Sequence, residues 1–192
     1  MIRKLLIAVG VLWLCAGNAQ ATVYMMELPT EVRGFYKNPD GSCVQCSIGM
    51  CGAWAQVPEA STLLWDTEYG RRERGGSWPQ RVAEYSQRRG IPIYNVTGKD
   101  TWAWMRWAAM TNRYAAIGAG GNHFQTLYGW DDNNTPDNLD DDTWYVCNNN
   151  STNKIDSYSW KAFQRLHLAS GQWVVILDVP SPPAVPQYVK WW

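Results

Sequence analysis

The stretch Gln45-Cys46-Ser47-Ile48-Gly49-Met50-Cys51-Gly52-Ala53 decides how the chain is read. It places a glutamine six residues before a cysteine, a glycine two before it and another directly after it. From Cys51 to about Trp65 the apolar residues Ala53, Trp54, Val57, Ala60, Leu63 and Leu64 recur mostly on one helical face, with Pro58 as a break. This reading sets Cys51 at the start of a helix, where the peptide dipoles favour a thiolate.

Two segments far downstream complete a chemistry for that thiol. Asn122-His123 leads from a glycine turn into Phe124-Gln125-Thr126-Leu127-Tyr128-Gly129-Trp130, and Asn148 closes Thr143-Trp144-Tyr145-Val146-Cys147. A histidine can pair with a cysteine thiolate, and an asparagine can fix the ring from its other nitrogen. The Gln45 amide and the Cys51 N–H can hold an oxyanion as a carbonyl is attacked. Asn149 and Asn150 stand beside Asn148 and are alternative orienting residues.

In this order the residues resemble the papain-like cysteine peptidases. The resemblance makes Cys51 the nucleophile, His123 the acid–base, Asn148 the orienting residue and Gln45 the oxyanion donor. It also assigns Gly49, Gly75, Gly76 and Asn122 to substrate binding. The implied activity is thiol-dependent peptide or amide hydrolysis, with a peptide or protein as substrate and no cofactor or metal. Ile48 stands where the family has a disulfide cysteine, Gly52 where papain has an aromatic residue, and Asn149-Asn150 where a serine and a tryptophan shield the asparagine. Cysteine and histidine are 72 residues apart (123 minus 51), which resembles compact members such as bacteriocin-processing peptidase domains. The rival reading is an inactive papain-like binding or structural module with disulfide-bonded cysteines.

The chain has 192 residues, enough for one domain with a sizeable core. Arg3 and Lys4, the apolar run Leu5 to Ala16, and Ala19-Gln20-Ala21 have the form of a secretory signal at 1–21, so a secreted or periplasmic product is expected. No later segment is long and apolar enough to span a bilayer, so no membrane association is expected after cleavage. Losing Arg3 and Lys4 leaves 15 basic against 17 acidic residues, which gives no electrostatic case for nucleic acid. Four cysteines then remain, Cys43, Cys46, Cys51 and Cys147. In an exported protein they suggest disulfides, and a free Cys51 leaves one pair and one odd thiol. The run from Asp131 to Asp142 is rich in oxygen ligands but lacks the glycine and final glutamate of an EF-hand, so it reads as a solvated loop.

The expected architecture is α+β, with a helical first half holding the nucleophile helix against an antiparallel sheet built from the second half. Residues 22–179 form the single domain, and 180–192 is an extended tail containing Pro and Trp. Thr22 to Asp40 reads as irregular, ending in the turn Asn38-Pro39-Asp40-Gly41. Helices are expected from Pro79 to Arg89 and from about Thr101 to Thr111, and a short one from Ser157 to Leu168. Strands are expected at 91–96, 114–118, 123–130, 143–147 and 172–179. Thirteen tryptophans would serve mainly as core.

Overall fold

A computed structural model describes residues 23–25, 28–66, 69 and 77–180. The signal-like segment 1–21, the glycine pair Gly75-Gly76 and the tail beyond Pro180 lie outside the described residues.

A continuous antiparallel sheet organises the second half. Its strands are β1 (Val23–Met25), β2 (Ile93–Thr97), β3 (Ala115–Gly118), β4 (Phe124–Asp131), β5 (Thr143–Cys147), β6 (Ile155–Ser159) and β7 (Trp173–Leu177). They run in the order β2-β7-β3-β4-β5-β6, and β1 pairs with the far end of β4. β3 and β7 are fully buried and consist largely of Ala, Val and Ile, as expected for central strands covered on both faces. A register shift between Leu127 and Gly129 bends β4 midway. Gly129 allows β1 to lie close there, since a Cβ would meet the Tyr24 carbonyl at 2.8 Å and the Met25 side chain.

The helices are α1 (Thr30–Phe35), α2 (Cys43–Trp54), α3 (Pro58–Ser61), α4 (Pro79–Arg89), α5 (Thr101–Met110) and α6 (Trp160–Ala169). Alternation along the strands separates them into two layers. Cys147 turns toward Cys51 and Arg33, whereas Trp144 packs on Trp160 and Phe163 of α6. On β2, Asn95 donates to the Pro79 carbonyl of α4 at 2.7 Å, while Tyr94 faces Trp104 and Trp107 of α5. Asp66, just past the turn that packs on α2, accepts from Tyr85 and Arg89 of α4. The sheet thus lies between α1–α4 and the pair α5–α6.

The α+β expectation stands, with three local corrections. The helix that contains Cys51 begins at Cys43, not at Cys51. Residues 22–40 are not irregular throughout, because they contain β1 and α1. The segment expected as one helix from Ser157 opens as strand β6 and turns helical only at Trp160, since β6 pairs along its whole length with β5.

Pro79 at the first turn of α4 and Gly90 at φ +64° past its end delimit that helix as the sequence suggests. Most described tryptophans pack into the body: Trp130, Trp144, Trp160 and Trp173 are buried, while Trp65 and Trp78 are exposed. Among the described residues no helix is long and apolar enough to cross a membrane.

Candidate active site

The start of α2 is built by the turn before it. The Asn38 side-chain carbonyl accepts from the Gly41 N–H at 3.0 Å, and the Ser42 hydroxyl donates to Asp40 at 2.6 Å. Gly41 sits at φ +90°, a conformation that favours glycine. The helix then opens with the Cys46 N–H on the Ser42 carbonyl at 2.9 Å. Cys43 is therefore its first residue, where backbone N–H groups lack intrahelical partners and the dipole favours negative charge.

Three backbone N–H groups act on the Cys43 thiol: its own and that of Val44 at the helix start, and that of Phe124, in the peptide bond joining His123 to Phe124. Burial pushes the thiol up from its ordinary range, and those N–H groups pull it back. The strand that His123 leads into thus supplies a donor to the cysteine at the helix start.

His123 and Asn148 are brought together as expected. The ring Nε2 lies 3.0 Å from Asn148 Oδ1. That oxygen also accepts the Asn150 backbone N–H at 3.0 Å, which identifies it as the carbonyl end of the amide. An acceptor there requires Nε2 to carry the proton, leaving Nδ1 as the basic nitrogen. Both residues are partly exposed. Asn148, not Asn149 or Asn150, makes the bond to the imidazole.

Cys51 occupies a different setting. It is the ninth residue of α2, 1 % exposed, with Cys147 nearby, and burial drives its thiol strongly upward. Gln45 lies within the first turn of α2 but is 1 % exposed, and neither amide atom has a partner there. The oxyanion role expected of Gln45 therefore has no route to solvent.

Gly49 and Gly52 serve packing. A Cβ on Gly49 would meet the Tyr36 ring at 2.6 Å, and one on Gly52 would meet Ser61 N at 2.5 Å and the Ala60 carbonyl carbon at 2.7 Å. Gly49 is buried under Tyr36, so the substrate contact expected of it is replaced by close approach of neighbouring backbone and ring. Asn122 is exposed in the turn before β4.

The start of α2 at Cys43 does have a signal in the sequence. An Asn-Pro-Asp-Gly turn followed by serine and then an apolar run is a helix start. The motif-based reading preferred the cysteine with a glutamine six residues before it.

No disulfide joins the described cysteines Cys43, Cys46, Cys51 and Cys147. Among the described residues no cluster of His, Cys, Asp and Glu forms a metal site. His167 is structural: Nδ1 meets the Gly118 carbonyl at 2.6 Å and Nε2 meets the Thr101 hydroxyl at 2.9 Å. A groove of about 320 Å³ walled by Tyr94, Ala103, Trp104 and Trp107 lies on the α5 face of the sheet, opposite Cys43. The chain matches no protein-family model and no curated protein sequence.

Proposed function

We propose that this protein is a thiol-dependent peptidase or amidase of papain-like kind, with Cys43 in place of Cys51 as nucleophile, His123 as acid–base and Asn148 as its orienting partner. The observation that carries this reading is that the Phe124 N–H, in the peptide bond after His123, favours the Cys43 thiolate against its burial, while Asn148 holds the His123 ring through Nε2. Cys43 has the helix terminus and a donor from the strand that His123 leads into. Cys51 has neither.

In the reaction, His123 Nδ1 takes the Cys43 proton, giving a thiolate–imidazolium pair. The sulfur attacks the substrate carbonyl carbon; a C–S bond forms and the π electrons move to oxygen. The free N–H groups at the start of α2 face this oxyanion. Collapse breaks the C–N bond, and His123 returns its proton to the departing amine. Water then attacks the thioester, its proton passing to His123, and the Cys43 thiolate leaves. A peptide or protein substrate, a secreted or periplasmic setting and the absence of a cofactor belong to the same proposal.

The test is alkylation of the folded protein by iodoacetamide at pH 5–6, mapped by peptide mass spectrometry and compared with His123→Ala. Fast labelling of Cys43 that drops in the variant is expected. Labelling of Cys51 first, or equal slow labelling of Cys43 in both proteins, overturns the assignment.

A further inference from the structure

We infer that Asn149 is the positioning residue that holds the nucleophile and the histidine in register, an inference that rests on the Cys43–His123–Asn148 reading. Asn149 is fully buried. The two hydrogens of its side-chain NH2 are shared among three oxygens within hydrogen-bond distance: the Cys43 carbonyl at 3.0 Å, the Ser47 hydroxyl at 2.9 Å and the Phe124 carbonyl at 2.9 Å. These belong to the first turn of α2, the next turn, and the first residue of β4.

Each arm of the site is therefore tied to this one amide directly or through a chain neighbour. Cys43 is bonded itself. His123 is the residue before Phe124, and Asn148 is the residue before Asn149. The Asn149 backbone carbonyl also accepts from Asn38 N at 2.8 Å, which draws in the turn that starts α2.

The chemistry of the joint follows from the acceptors. Successive residues of a strand alternate, but the N–H and C=O of one strand residue point the same way. Phe124 thus directs its N–H at the Cys43 thiol and its carbonyl at Asn149. Without the NH2 group, the Cys43 and Phe124 carbonyls would share a buried space with no donor between them, and unpaired buried oxygens are costly. The helix start would move off β4, and the thiol would lose the Phe124 N–H and its register with His123 Nδ1.

A residue chosen for packing alone would not bring this polar group. Asn149 Oδ1 is itself buried without a partner, a cost accepted for the sake of the NH2 end. An aliphatic residue would remove that cost but orphan three oxygens. An aspartate keeps the shape and turns a fourth oxygen toward them.

The experiment measures Cys43 alkylation by iodoacetamide between pH 5 and pH 9 in the full chain and in Asn149→Asp, Asn149→Ala and Ser47→Ala, with melting temperatures alongside. Wild type and His123→Ala come first. Without a His123-dependent rate at acid pH in wild type, the site reading fails and the role of Asn149 falls with it.

With that rate present, Asn149→Asp and Asn149→Ala are expected to lose at least tenfold at pH 5–6 while the rate at pH 9 stays near wild type. Ser47→Ala, which leaves both carbonyls bonded, should stay within twofold throughout. Folded Asn149 variants with a lowered melting temperature but an intact acid-limb rate overturn the proposal and leave the peptidase reading standing. Should neither variant fold, Asn149→Ser supplies one donor for two: an intermediate acid-limb rate supports the proposal, and an unchanged one refutes it.

Discussion

Cys43 and Cys51 lie on one helix, about two turns apart; burial raises both thiols, and they differ in the donors around them. Cys43 stands where N–H groups are free and the strand that His123 leads into supplies a donor. Cys51 stands near the other end, with its own N–H as donor, and shares its surroundings with Cys147, whose thiol burial pushes up to about 11 against the pull of Arg33. Apolar burial without donors disfavours the thiolate, whereas a helix start offers donors in fixed directions. Position along a helix, more than the residues flanking a cysteine, separates the two.

The sharpest way to break this comparison is to remove each thiol in turn. Cys43→Ala should abolish turnover of an amide substrate by roughly 10³-fold or more, as loss of a covalent nucleophile does. Cys51→Ala should leave the rate within about twofold and cost about 1–2 kcal/mol of stability through the small cavity it leaves. A steady-state assay beside a urea titration reads both; a Cys51→Ala protein that is folded and inactive sinks the comparison. Asn148→Ala should follow with a loss of about 10²-fold, since it frees the imidazole that performs proton transfer. That loss should fall on kcat/KM without a change in melting temperature beyond a few degrees.

The late turns of α2 invite the complementary test. Gly52→Ala should destabilise by about 1–3 kcal/mol, because the atoms its Cβ meets include the backbone of Ser61 and Ala60, which cannot swing aside. Chemical denaturation should show the fall. The acid-limb labelling of Cys43 in the protein that remains folded should stay at the wild-type rate. If Gly52→Ala slows Cys43 instead, the two ends of the helix are not independent.

Much of this was legible in the sequence, and the limits have physical causes. The Thr143–Cys147 strand, the Pro79–Arg89 helix and the entry of His123 into a strand follow from alternation, capping and turn residues, which act locally. The His123–Asn148 pair was foreseen from its place at two strand edges. The start of α2 escapes a periodicity argument because the helix is buried along ten consecutive residues, Cys43 to Gly52, and only the turn before it carries a signal. Gly49 and Gly52 looked like site glycines for the same reason that they are packing glycines: both roles need a missing side chain. Asn149 could not be valued from sequence, since its three acceptors come from segments up to 106 residues away.

The two histidines give the smallest effect and a separate check on which of them is structural. His167 is buried, and desolvation lowers its affinity for a proton below the ordinary imidazole value, with the Gly118 carbonyl opposing. A base that is harder to protonate in the folded state than in the unfolded one favours unfolding once the solution supplies protons. The stabilisation by neutral His167 is complete above the unfolded value of about 6.5 and is lost as pH falls from there through the lower folded value. Each unit of that shift is worth at most about 1.4 kcal/mol. Between pH 7.5 and pH 5, wild type should therefore lose more stability in urea than His167→Gln, which has no imidazole to protonate at that position. His123 is partly exposed, with its Nε2–H bonded to Asn148. Equal slopes for wild type and His167→Gln would remove His167 from the acid response and leave the buried carboxyl of Asp142 as the group to test. Burial also raises the Asp142 value, with the opposite sign: its carboxylate is disfavoured in the fold, so it would stabilise as pH falls.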